Sequence, residues 1–173
     1  MVITMQPLAH EGDLLFYYRV KNPYEEAVDV GEYFELGHQS RYYYHVAIAL
    51  SSAEKVEADG HFVAKHRLIY NGAFDIFRPP APYRERGINA ILAEVGERYD
   101  WWLDIDDGLR YLTRDRIHLP VEFIRNRERK EKQCVTLALR YLALAGYQAP
   151  FRLGRNSSPQ DVYRAVKKWK VAP

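Results

Sequence analysis

The sequence is short of several things. It has a single cysteine, Cys134, so no internal disulfide can form and a secreted, disulfide-held framework is excluded. It has no apolar run approaching the ~18 residues that a membrane-spanning helix needs. No basic start followed by an apolar stretch opens it, so no signal peptide is expected. The charge excess is small: 25 Lys and Arg against 23 Asp and Glu leave a net +2. That balance argues against nucleic acid as a partner. These absences set the expectation of a cytoplasmic protein, with export by a non-signal route left open.

What is present fits a globular chain. Apolar residues make up 47% and charged residues 28% of the 173 positions, a balance that supports a packed core. The length suits one domain over residues 1–173. Tyrosine is frequent, at 14 residues. Half-buried sheet positions account for it best, with an aromatic substrate cleft as the second reading.

The first half reads as strands: "GDLLFYYRV" (12–20), "YYYHVAIAL" (42–50), "VEADG" (56–60), "HFVAKHRLIY" (61–70) and "AFDIFRP" (73–79). Lys21 to Arg41 is polar and mixed, and reads as a long loop or a short helix. Pro79, Pro80 and Pro82 end the strand region. The second half is helical. "RERGINAILAEVGERYD" puts Ile88, Ile91, Leu92 and Val95 at helical spacing, while "WWLDIDDGLRYLTRD" is open between helix and loop. "CVTLALRYLALAG" (134–146) is the clearest helix, with Leu137, Ala138, Tyr141, Leu144 and Ala145 sharing a face with Cys134 and Gly146 as its stop. Ser158 and Pro159 open a last short helix. Strands followed by helices imply an α+β fold: an antiparallel sheet packed against helices.

The chemistry-bearing residues are few. Cys134 begins the best helix, where unpaired N–H groups and the helix dipole favour a thiolate. The preceding "RNRERKEKQ" adds Arg125, Arg127, Arg129, Lys130 and Lys132 against two acids. Taken alone, a lone cysteine on an apolar face is more often a small core residue, and a charge run more often a solvated loop. A thiol nucleophile also needs a base and a group to orient it. His45 heads an apolar run, so a packed scaffold would fix its ring. Glu57 lies one hairpin further on, and Asp59 is its rival within reach of that ring. A different reading gathers Glu57, Asp59, His61 and His66 as metal ligands, but their spacing matches no strong zinc signature. A third reading is a non-catalytic binding module, with "RNRERKEK" and "KKWK" as basic patches.

Taken in order, "GDLLFYY", "YYYHVAIAL", "VEADG", "FDIFRP", "GERYDW" and "CVTLALRYLALAGY" resemble the motifs of the circularly permuted NlpC-type cysteine amidases and peptidases, whose layout lecithin:retinol acyltransferase and its relatives share. The resemblance runs from Gly12 to about Tyr163. It implies a permuted papain-like fold with the nucleophile at a helix N-terminus. By position it implies Cys134 as nucleophile, His45 as base and Glu57 as the third polar residue. It further implies hydrolysis of an amide in a peptide or peptidoglycan-like substrate, or acyl transfer and thioester cleavage on acyl substrates, with no cofactor and no metal. Ala47 stands where the family commonly has glycine, and Gln133-Cys134-Val135 where Cys-Ser is frequent.

Overall fold

A computed structural model describes residues 7–18, 43–70, 73–100, 116–120, 131–149 and 157–172, with isolated positions at 102, 105, 106, 109, 113, 122 and 153. The Lys21–Arg41 segment, most of "WWLDIDDGLRYLTRD", and Arg125 to Lys130 of the basic run lie outside the described residues.

Five strands form one antiparallel sheet: β1 (Leu14–Tyr18), β2 (Tyr43–Ala49), β3 (Glu54–Ala58), β4 (Val63–Arg67) and β5 (Phe74–Phe77). Their order across the sheet is β4-β3-β2-β1-β5. Three helices follow among the described residues: α1 (Ala81–Leu92), α2 (Cys134–Leu144) and α3 (Pro159–Val166), the last running into a 3₁₀ turn at Lys167–Trp169. The α+β reading of the sequence therefore stands, with strands first and helices late.

The sheet's alternation sorts its residues into two apolar layers. Leu14, Phe16, Val46, Ile48, Val56 and Phe77 pack with Leu137, Ala138, Tyr141, Val162 and Ala165 of the helices. Leu15, Ala47, Ala49, Phe74 and Ile76 form a smaller cluster with Leu68. Ala47 is fully buried there, so its methyl group has a packing role that glycine would lack.

Helix boundaries depart from the sequence periodicity in two places. Helix α1 starts before the expected run, at Ala81, because Pro82 takes a first-turn position where its missing N–H costs nothing. Its buried residues are Gly87, Ile88 and Ile91, while Leu92 at its end and Val95 beyond it are exposed. In α2 the buried stripe is Cys134, Val135, Leu137, Ala138, Tyr141 and Leu142. Leu144, expected on that face, falls just beyond its rim and is exposed. Ser158 caps α3 as expected: its hydroxyl accepts from the Asp161 N–H at 3.2 Å, and the Asp161 carboxylate accepts from the Ser158 N–H at 2.9 Å.

Two glycines let α2 sit where it does. A Cβ on Gly87 would come within 2.3 Å of the Tyr141 ring, so only glycine allows α1 and α2 this close. Gly12 turns at φ +79°, and its carbonyl accepts the Tyr141 hydroxyl at 2.7 Å. Next to it, the fully buried carboxylate of Asp13 accepts from Arg78 Nη2 at 2.8 Å and Nε at 3.0 Å. The Gly-Asp and Arg-Pro stretches, far apart in the chain, thus meet as a fork-to-fork ion pair that ties β1 to the end of β5. Removing one partner of such a pair costs on the order of 3–5 kcal/mol when the other is left buried.

Candidate active site

Three of the residues singled out from the sequence converge. His45 is the third residue of β2, not its first: Tyr43 and Tyr44 precede it in the strand. The register of β1 against β2 slips here, with Tyr17 opposite His45 but Tyr18 opposite Tyr43, leaving Tyr44 as the extra residue of a bulge. The bulge reverses the alternation, so Tyr43 joins Val46 and Ile48 in the helix-facing layer, and Tyr44 is exposed. Bulges re-aim side chains in this way next to functional sites.

Glu57 arrives from the neighbouring strand. The β2–β3 ladder pairs Ile48 with Val56 and Ala49 with Lys55, and goes no further. Beyond it the strands are joined by side chains: His45 Nε2 donates to Glu57 Oε2 at 2.8 Å. Cys134 enters from α2, which packs over β2 and β3, and its side chain lies close enough to the His45 ring to raise that ring's pKa. With Nε2 engaged by the carboxylate, Nδ1 is the ring nitrogen left for the sulfur.

Local structure fixes the cysteine. Gln133 is extended and caps the helix, and Cys134 is its first residue. The Thr136 hydroxyl accepts from the Gln133 N–H at 2.8 Å and donates to the Gln133 carbonyl at 2.9 Å. Just upstream, Glu131–Lys132 pairs in parallel with Arg98–Tyr99. That second segment is itself bonded to the start of β4, through Tyr99 N–H to the His61 carbonyl at 2.9 Å and Val63 N–H to the Glu97 carbonyl at 2.8 Å. The approach to Cys134 is therefore tied to the same hairpin that carries Glu57. Val135 is buried in the core, which accounts for an apolar residue after the cysteine.

Two residues missed in the sequence complete the surroundings. Lys55 Nζ lies 2.6 Å from Glu57 Oε1 and 2.7 Å from Oε2. The same ammonium sits 4.6 Å above the centre of the Tyr17 ring, and that ring lies 5.6 Å from the His45 ring. Strand alternation was the available signal, since Lys55 and Glu57 are two apart and share a face.

Asp59 does something else. Its Oδ1 accepts the N–H groups of His61 at 2.9 Å and Phe62 at 3.0 Å, and its Oδ2 pairs with His66 Nε2 at 2.9 Å. It holds the β3–β4 turn, and Glu57 is the carboxylate on His45. This also parts Glu57, which serves His45 and Lys55, from Asp59, His61 and His66 of the metal reading. Among the described residues, no group of three or more His, Cys, Asp or Glu is placed to hold a metal ion.

Comparison with protein-family models, with curated proteins and with solved structures gives no match. The geometry therefore speaks for itself. Burial of the His45 ring pushes its pKa down, but hydrogen bonds to Cys134 and Glu57, and attraction to both, outweigh it and raise the pKa to about 9. Burial likewise pushes Glu57 up, and the hydrogen bonds and charges of His45 and Lys55 outweigh that and hold it below the ordinary carboxylate range. At neutral pH a ring with so raised a pKa holds its second proton, and the Glu57 carboxylate accepts from it. Among the described residues, no helix is long and apolar enough to cross a membrane.

The raised His45 pKa has a consequence for stability. A group bound more tightly to its proton when folded contributes fully below its unfolded pKa of about 6.5. That contribution is lost as pH rises toward the folded value of about 9. Thermal melts should show a decline in Tm between these limits that the His45→Gln variant lacks. Equal declines in both proteins would remove the charged ring from the account.

Proposed function

We propose that this chain is a thiol-dependent hydrolase of amide bonds, a permuted papain-like enzyme acting through Cys134, His45 and Glu57. The observation that carries the reading is the His45 ring bonded to the Glu57 carboxylate at 2.8 Å, with the Cys134 side chain close enough to raise the pKa of the ring. The order of parts supports it as well: a histidine strand, a glutamate strand, then a cysteine at a late helix start.

In this reading Cys134 reacts as a thiolate whose proton His45 has taken. The sulfur attacks the carbonyl carbon and the electron pair moves to oxygen. The N–H groups of the first turn of α2 have no intrahelical acceptor and can donate to that oxyanion. Collapse expels the amine, which takes its proton from His45, and leaves a thioester on Cys134. The now neutral ring takes a proton from water, the hydroxide attacks the thioester, and the carboxylic acid leaves as the thiolate returns. Glu57 fixes the ring through Nε2 and offsets its charge. A peptide or peptidoglycan-like amide is the substrate class the sequence resemblance favours. Transfer of the acyl group to an acceptor other than water uses the same intermediate.

The test requires no substrate. Iodoacetamide should label Cys134 at pH 6 at least about tenfold faster than a free thiol of pKa about 8.5. His45→Ala should abolish that advantage. An ordinary thiol's pH curve, unchanged by His45→Ala, would overturn the reading.

A further inference from the structure

The carboxylate that orients His45 is itself held. Both oxygens of Glu57 lie within 2.7 Å of Lys55 Nζ, although His45 needs only one of them. The Lys55 side chain is 14% exposed and that of Glu57 10%, so neither charge is well served by water. Four ionisable groups then stand in a row: Lys55, Glu57, His45 and Cys134.

We propose that Lys55 is a positioning residue of this site, whose ammonium closes an alternating row of charges and so permits the ionised Cys134–His45 pair in a poorly hydrated place. The inference rests on the hydrolase reading and deepens it. In the catalytic state the row runs plus, minus, plus, minus and sums to zero. Without Lys55 it sums to minus one. A buried site with an uncompensated negative charge recovers neutrality by binding a proton, and each position where it can bind one, the carboxylate or the thiolate, disables the machinery. Among the described residues, the cations acting on Glu57 are His45 and Lys55 alone. From β1 it meets Tyr17, whose phenol is pushed further up by burial and then by the Glu57 charge. From β4 its register partner is Ala64. From β2 and α2 it meets His45 and, through that ring, Cys134. Tyr17 also explains why the ammonium stays in place: its ring face holds the cation at 4.6 Å.

The experiment is the rate of iodoacetamide labelling of Cys134 from pH 5 to pH 9 in the full chain. Lys55→Gln keeps a hydrogen-bond donor and removes the charge. It should label at least about tenfold more slowly than the wild type at pH 5.5 and within about twofold of it at pH 8, within the loss range of groups that support a site residue. Lys55→Arg keeps the charge and should follow the wild-type curve. Lys55→Met, which keeps the stem over Tyr17, serves if the glutamine variant does not fold. A charge-free variant that follows the wild-type curve, or that slows equally at every pH, overturns the role of Lys55. Labelling that is indifferent to His45→Ala instead overturns the hydrolase reading, so the two failures are distinguishable.

Discussion

Replacing Cys134 with serine should lower turnover of an activated acyl ester, such as a p-nitrophenyl ester, on the order of 10⁴-fold or more. A serine hydroxyl at the same place lacks the acidity to ionise beside an imidazolium, so the attacking electron pair is not available. The change is nearly isosteric at a site 7% exposed, and the fold should survive it. His45→Ala should cost a comparable factor, and the double variant little more than either single one, because the two act as one unit. Intact-mass spectrometry on the wild-type protein should find the acyl group on Cys134 and not on a lysine. Hydrolysis that persists in Cys134→Ser at the wild-type rate would place the chemistry elsewhere or nowhere.

The parts of this site were unequally legible in the sequence. Cys134 at a helix start was readable from apolar periodicity and the change to polar residues before it, because helix ends follow local rules. The strand around His45 was readable from its apolar run, but its start was not. The bulge at Tyr44 depends on the partner strand, and nothing in "YYYH" records where Tyr18 will pair. The choice between Glu57 and Asp59 could not be made from alternation, since residues two apart share a face. It is decided by the turn: two backbone N–H groups at 61 and 62 need an acceptor, and Asp59 is near enough to supply it. Lys55 was obscured in another way. The strand read as "VEADG" starts at Val56, whereas Glu54 and Lys55 already belong to β3. The link between Asp13 and Arg78 joins two elements 65 residues apart, and pairing over such a distance leaves no local trace.

Glu57→Gln should keep the fold and lower turnover on the order of 10- to 1,000-fold, while Asp59→Asn should do much less. The amide of glutamine can still accept a hydrogen bond from Nε2, so the ring keeps its place. What it cannot supply is the negative charge that helps hold the ring proton against burial. The alkaline edge of the pH–rate profile, set by loss of that proton, should therefore move to lower pH in Glu57→Gln. Lys55 would then face an amide, and the row of charges would carry an excess cation, which favours the neutral ring still further. In Asp59→Asn the side-chain oxygen can still accept from the N–H groups of His61 and Phe62, so the turn survives. Only the surface pairing with His66 is weakened, and exposed pairs contribute about 0–1 kcal/mol. Measured at equal Tm, a larger loss in Asp59→Asn than in Glu57→Gln would mean that the β3–β4 turn, and not the carboxylate on His45, governs the reaction.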